Sequence, residues 1–154
     1  MYFDRRYSVE IPDSREGTPN YEMEEGGAKK REPRLWVYRL QGEWTVLAGK
    51  TDMDNDRLSL SMAHPEDWWF HVRGMPGSHV ILRVEKGKRP DEDILKSAAA
   101  VAAYHSKARH GGVVSVSGTQ AKYVRKDGRM KPGQVMIRKE RIFKVRPGVP
   151  SHDQ

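Results

Sequence analysis

The side chains of two histidines, His71 and His79, are the best candidates in this sequence for chemistry near neutral pH. Residues 68–72 and 78–84 are both predicted to be strands, and pairing them across the intervening turn places the two imidazoles opposite each other on one exposed face. With Arg73 beside it, such a pair could contact a phosphate. Three other roles stay open for the histidines: structural hydrogen bonding, acid–base work, and the beginning of a metal site.

A second cluster, within residues 119–134, surrounds one aromatic side chain with cations. Lysine and arginine bind phosphates irrespective of base sequence, and an exposed Tyr123 would offer a surface on which a base can stack. Alternatively, Tyr123 packs inward and only the cations remain available. The cations that we expect to contact phosphates, in this cluster and near it, are Lys107, Lys122, Arg125, Lys126, Lys131 and Arg138.

The charge of the chain is divided unevenly along its length. Of a net charge of +7, residues 1–28 carry −4 and the remainder carries +11, and residues 104–146 alone carry +10. A solvated surface that is simply rich in lysine and arginine does not explain why the positive charge is concentrated in one segment. A polyanionic partner therefore explains the sequence better.

Several classes of function find no support in the sequence. The chain has no cysteine, so we expect no disulfide and no thiolate metal site, and a reducing cytoplasm is the simplest location. We expect no secretory signal, and no apolar run approaches the roughly 20 residues of a membrane helix. Phosphate-binding glycine motifs are missing, and Ser106 with His110 lacks an orienting acid, so neither a cofactor nor a catalytic serine is expected.

The elements that position these residues indicate one α+β domain, mostly an antiparallel sheet packed against one long helix at about residues 91–110. Three features predict that helix: acidic residues in its first turn, cations in its last turn, and small residues in the middle of its length. Asp54 or Asn55 is expected to cap a short helix at about residues 54–62. Pro76 and Gly77 suit the central positions of a type II turn. Strands are predicted at 35–40, 44–48, 68–72, 78–84, 113–117, 135–137 and 142–145.

The chain divides into three parts by composition. Residues 1–32 are rich in glycine, proline and charged residues without an apolar period, so we expect a poorly ordered acidic tail. Residues 33–150 form the predicted domain, and residues 151–154 are expected to be a flexible C-terminus.

Five short motifs occur in an order that resembles a known family. They are WFH at 69–71, MPGSHV at 75–80, AAYHSK at 102–107, VRK at 124–126 and KPG at 131–133. Together they resemble the NFACT-R domain, the C-terminal RNA-binding module of ribosome-quality-control factors that recruit tRNA to obstructed large ribosomal subunits. The resemblance spans about residues 35–147.

This resemblance implies an α+β fold, no catalytic centre, no cofactor, and contact with tRNA or rRNA in translation or ribosome quality control. The large ribosomal subunit and other quality-control proteins are the partners it suggests, and it adds Ser78 to the candidate site residues. No segment resembles the family's large N-terminal domain, helix-hairpin-helix or coiled coil, so we expect RNA binding rather than tailing of nascent chains.

Two alternatives remain open on the residues themselves. One is a small RNA-processing enzyme that uses His71 and His79 as acid and base. The other is a protein-interaction module in which Trp36, Trp44 and the acidic tail bind a partner.

Overall fold

The computed structural model describes residues 22–25 and 28–150. Two helices are present, α1 (Asp52–Asp56), which continues as a π-helical turn over Arg57–Met62, and α2 (Glu92–Tyr104). A 3₁₀ turn covers Ala121–Tyr123. The strands are β1 (Glu22–Glu25), β2 (Ala28–Arg31), β3 (Leu35–Leu40), β4 (Trp44–Gly49), β5 (Trp68–Val72), β6 (Val80–Leu82), β7 (Val114–Gln120), β8 (Val124–Arg125), β9 (Met136–Ile137) and β10 (Arg141–Val145).

Six of these strands form one antiparallel sheet in the order β10-β7-β5-β6-β4-β3. The pairs β1–β2 and β8–β9 form two small antiparallel ribbons. The predicted α+β class and its antiparallel sheet are confirmed. The main departures from the predicted strands are that β6 is shorter and that β7 runs on to Gln120, because β7 stays paired with β5 as far as Trp68.

The sheet is a middle layer with an apolar cluster on each face. Side chains alternate across a strand, so in β5 Phe70 and Val72 face α2 whereas Trp69 faces the π-helical turn and the β8–β9 ribbon. Four alanines in the middle of α2 are fully buried and let the helix lie close to the sheet: Ala98, Ala99, Ala102 and Ala103. Leu95 and Val101 face inward with them.

The predicted long helix ends six residues early, so its expected extent to residue 110 is wrong. His105 leaves the helical conformation (φ −93°, ψ 46°), although its amide still donates to the Val101 carbonyl. Its own carbonyl accepts from the Ser78 amide at 2.9 Å, which takes the place of the next helical hydrogen bond. Lys107 and Arg109 therefore lie in an irregular segment beyond the helix rather than in its last turn.

The predicted cap of the short helix is also wrong, because the helix begins earlier. Thr51 is the N-cap: its hydroxyl accepts from the Asp54 amide at 3.2 Å, and the Asp54 carboxylate accepts from the Thr51 amide at 3.0 Å. This reciprocal capping box gives Asp54 the third position of the first turn rather than the cap.

The expected type II turn at Pro76 and Gly77 is wrong as well. A type II turn needs a positive φ at its second central residue, and in this segment the residue with positive φ is Gly74, at 77°. Gly77 is needed for a different reason, since an ideal Cβ there would lie 3.0 Å from Cβ of Ser106 and 3.1 Å from Cγ1 of Val72.

The predicted tail and C-terminus fall largely on residues outside the described part of the chain. Residues 1–21, 26–27 and 151–154 are not described, so the boundaries at 32 and 150 stay predictions. Among the described residues, no helix combines the length and apolar character needed to cross a membrane.

Candidate nucleic-acid interface

The two histidines lie across from each other on neighbouring strands. Phe70 of β5 pairs with Val80 of β6, and continuing this register places His71 opposite His79. Their ring centroids are 5.6 Å apart and nearly perpendicular. The expectation that this face is exposed is wrong, because His79 is 2% exposed and His71 is half-buried. The π-helical turn and the loop before β9 cover them.

Hydrogen bonds hold both ring nitrogens of His79. Its Nε2 lies 3.0 Å from the Gly133 carbonyl, which can only accept, so Nε2 carries a proton. In the neutral ring, Nδ1 accepts from the Ser59 hydroxyl at 2.7 Å, and that oxygen in turn accepts from the Trp69 indole at 3.0 Å. Burial, and then the neighbouring His71, lower the pKa of His79 to about 4. His79 thus holds the loop before β9 against the sheet.

Lys126 and Asp56 secure the same loop, residues 126–134. The Lys126 ammonium donates to the carbonyls of Lys131 and Gln134 at 2.6 and 2.8 Å and pairs with the Asp56 carboxylate at 3.2 Å. The other Asp56 oxygen accepts from the Gly133 amide at 3.0 Å. Since all these partners lie within the protein, Lys126 shapes the loop. The loop presents two exposed cations, Lys131 and Arg129, and the Arg129 guanidinium pairs with the Asp127 carboxylate at 3.6 Å.

Arg73 is half-exposed at the edge of the histidine pair. Its Nε lies 3.3 Å from a Glu140 oxygen, and the same oxygen accepts a hydrogen bond from the Ser117 hydroxyl. The guanidinium charge of Arg73 is therefore partly balanced by a carboxylate.

Four predicted site residues lie on the β8–β9 ribbon or directly beside it, and we call them the hairpin patch: Lys122, Tyr123, Arg125 and Arg138. The cations of Lys122 and Arg138 lie 5.6 and 5.5 Å from the Tyr123 ring centroid, and the Tyr123 carbonyl accepts from the Arg138 amide. Tyr123 is half-buried and Arg125 is exposed. Lys122 also pairs with Glu66 at 3.1 Å. The ring is thus neither packed away nor fully open.

An open cleft of about 400 Å³, which we call the Trp36 cleft, borders α1. It forms where the segment after β4, the turn before β6 and the segment after α2 meet. The lining residues that matter below are Trp36, Lys50, Asp52, Ser78, Lys107 and Arg109.

Three hydrogen bonds hold the walls of this cleft together. The Ser78 amide donates to the His105 carbonyl at 2.9 Å and the Lys107 amide donates to the Pro76 carbonyl at 3.5 Å; together they form an isolated antiparallel bridge between Gly77 and Ser106, which the missing Cβ of Gly77 allows. The third is the bond from the Ser78 hydroxyl to the Gly49 carbonyl at 2.7 Å. The cleft is therefore formed before any ligand arrives.

The aromatic wall of the cleft consists of Trp36 and the side chains behind it. His105 stacks on Trp36 with ring centroids 5.8 Å apart, and its Nε2 shares a 2.7 Å hydrogen bond with the Tyr38 hydroxyl. Burial, and then Arg109, lower the pKa of His105 to about 4, and burial together with Tyr104 raises the pKa of Tyr38 to about 12. Both groups are therefore neutral at physiological pH.

The sequence of this chain matches a known protein family. The family described as the NFACT protein RNA-binding domain matches residues 34–139. This chain belongs to that family. The proteins named Rqc2 homolog RqcH from Streptococcus suis and Bacillus subtilis are 35% and 36% identical, over 82% and 79% of this chain. The chain spans only 24% and 21% of their lengths.

Two further proteins are similar to this chain. The mouse protein named coiled-coil domain-containing protein 25 is 29% identical over 66% of this chain and 50% of its own length. The solved structure of the C-terminal part of the fibronectin/fibrinogen-binding protein from Streptococcus suis superposes with a TM-score of 0.69 at 35% identity. That match covers 80% of this chain and 49% of the solved one.

The NFACT match includes both the Trp36 cleft and the hairpin patch. Of the predicted site residues, Ser78 and Lys107 line the cleft, and the patch holds four others. The 126–134 loop borders the cleft, because an ideal Cβ on Gly133 would lie 2.9 Å from Cγ of Asp52. Trp36, Lys50 and Arg109 were missed as site residues. Lys50 and Arg109 both lie within the span of about 35–147 that resembles the family, and Arg109 also lies within the basic segment 104–146.

Proposed function

We propose that this chain binds structured RNA, tRNA or rRNA, through a basic surface made of the Trp36 cleft, the 126–134 loop and the hairpin patch. The proposed setting is translation or ribosome quality control, with the large ribosomal subunit and quality-control proteins as partners in the cytoplasm. The binding is not catalytic. Family membership supports the RNA ligand class, and the arrangement of cations supports the surface.

The observation that carries this proposal is the convergence of three cations on one preformed cleft. Lys50, Lys107 and Arg109 come from two segments far apart in the sequence, and an aromatic wall stands beside them. Within residues 32–150, Lys107 has no carboxylate partner and neither does Arg125 in the hairpin patch. Unbalanced cations at fixed positions suit a phosphodiester backbone.

The acid–base alternative loses its geometric basis. An acid or base must have a ring nitrogen within reach of the substrate, and both nitrogens of His79 are bound to Ser59 and Gly133. Incubating tRNA with the protein, with and without added divalent metal, tests this directly: we expect intact tRNA, whereas cleavage that disappears in His71→Ala would favour the enzyme.

Salt dependence of tRNA binding tests the proposed surface. Each lost phosphate contact reduces the log–log salt slope by about 0.7–0.9, so the double variant Lys107→Ala, Arg109→Ala is expected to flatten the slope by roughly twice that. Lys144→Ala is the matched control, because Lys144 is equally exposed but lies on β10, at the opposite edge of the sheet from Trp36. An unchanged slope in the double variant, or an equal effect of Lys144→Ala, would contradict the proposal.

A further inference from the structure

The Trp36 cleft has a wall that phosphate binding alone does not require. Trp36 is half-buried, with His105 stacked on it at an interplanar angle of 21° and held by Tyr38. The indole is thereby fixed in position while it still lines the cleft. Cations alone suffice for a phosphodiester backbone, so a fixed indole beside them points to a second, planar group in the ligand.

The side chain of Lys50 covers the face of the Trp36 indole. Its ammonium lies 4.1 Å from the centroid of the Trp36 ring, and burial, together with the nearby Arg34, lowers its pKa. An exposed cation–π contact strengthens binding about 2- to 5-fold, whereas a base stacked on an aromatic side chain contributes about 5- to 150-fold. A base stacked on Trp36 therefore contributes more binding energy than the Lys50 contact that it would replace.

The dimensions of the cleft suit one nucleotide rather than a helix. About 400 Å³ is within the range of sites for single small molecules, and the contacts of Gly77 and Ser78 keep the walls from separating. Within double-stranded RNA each internal base is covered on both faces by its neighbours, whereas an unpaired nucleotide can turn a free face towards Trp36.

We infer that the Trp36 cleft binds one unpaired nucleotide of the RNA, with its base stacked on Trp36 and its phosphate held by Lys107 and Arg109. The nucleotide comes from a loop, a bulge or a strand end. This inference rests on the proposed function, because it specifies which part of an RNA enters a surface already proposed to bind RNA. The hairpin patch then contacts the backbone that flanks this nucleotide.

Two RNAs and two tryptophan variants test the inference. The RNAs are a blunt duplex of two complementary strands and the same duplex with a short single-stranded overhang, compared by fluorescence anisotropy at one salt concentration. Trp36→Leu removes the stacking surface. Trp44→Leu is the matched control, because Trp44 is also half-buried with a lysine, Lys88, over its ring at 5.2 Å, but it lies at the other end of the β3–β4 pair.

The wild type is expected to bind the overhang more tightly than the blunt duplex. Trp36→Leu should lower the affinity for the overhang about 5- to 150-fold and leave that for the blunt duplex unchanged, and Trp44→Leu should change neither. Trp36→Phe keeps a smaller ring and should bind the overhang more tightly than Trp36→Leu, which provides a second comparison if the leucine variant does not fold.

The outcomes separate the two proposals. Equal affinity of the wild type for the two RNAs, or an equal loss with both in the Trp36 variants, overturns the unpaired-nucleotide inference and leaves the proposed function standing. Absence of binding to either RNA overturns the proposed function and the inference with it.

Discussion

The buried His79 makes the stability of the fold sensitive to mild acid. In the unfolded chain its pKa is that of an ordinary histidine, 6.5, and in the folded protein it is about 4. Because the folded pKa is depressed, the neutral ring stabilises the fold fully above pH 6.5, and this stability is lost as the pH falls towards 4. Between pH 7 and pH 5 the loss due to this one residue is about 2 kcal/mol of unfolding free energy.

The variant His79→Gln isolates this loss. Its side-chain amide can still donate to the Gly133 carbonyl, but it does not titrate, and it leaves Ser59 and Trp69 with a weaker partner. At pH 7 we therefore expect it to be less stable than the wild type by about 1–3 kcal/mol. From pH 7 to pH 5, however, it should lose about 2 kcal/mol less than the wild type does.

Urea unfolding at the two pH values measures both quantities. His110→Gln is the control, because His110 is exposed beyond the end of α2 and its replacement should leave the full acid loss of the wild type. If His79→Gln loses as much stability between pH 7 and pH 5 as the wild type, then His79 is not the neutral, hydrogen-bonded group described above.

Three further variants test other parts of the structure. Arg83→Leu leaves the buried Asp67 carboxylate without the guanidinium that now lies 2.7 Å away, and should cost about 3–5 kcal/mol in urea unfolding; a loss under about 1 kcal/mol would contradict this. Gly77→Ala places a methyl group against Ser106. It should lower the stability by about 1–3 kcal/mol and also weaken tRNA binding, because the walls of the Trp36 cleft must move apart; unchanged tRNA affinity would show that binding does not depend on the spacing of these walls. Lys126→Met should accelerate amide exchange across residues 127–134 and leave the salt slope of tRNA binding unchanged, and a flatter slope would instead make Lys126 a phosphate ligand.

Local pattern was enough to predict the elements of the sheet. Phe70, Val72, Val80 and Leu82 lie on the α2 side, opposite the two histidines, because side chains alternate along β5 and β6. The spacing of small residues likewise identified the buried face of α2. These inferences need only neighbours in the sequence.

The ends of elements depended on contacts that local pattern does not contain. The cations at 107 and 109 resemble the last turn of a helix, yet the helix stops at Tyr104 because the Ser78 amide takes the His105 carbonyl. Ser78 is far from that helix in sequence, so its effect is invisible to a helix-dipole argument.

The candidate site shows the same limit more strongly. His79 was expected on an exposed face, but Ser59 and Gly133, one on either side of it in the sequence and both distant, cover it. Trp36 was considered only for a protein partner, because nothing nearby in the sequence places it beside Lys107. The motif order predicted the family, whereas the shape of the cleft required the fold.

Mapping the bound surface by NMR tests the central claim most directly. The 17.7 kDa chain, labelled with nitrogen-15, is titrated with tRNA at low salt and its amide shifts are followed. We predict the largest shifts at residues 49–51, 77–78 and 105–109, with smaller ones at 122–125 and 138, and none at Lys144 on β10. Shifts that cluster on β10, or no shifts at any tRNA concentration, would contradict RNA binding through the Trp36 cleft.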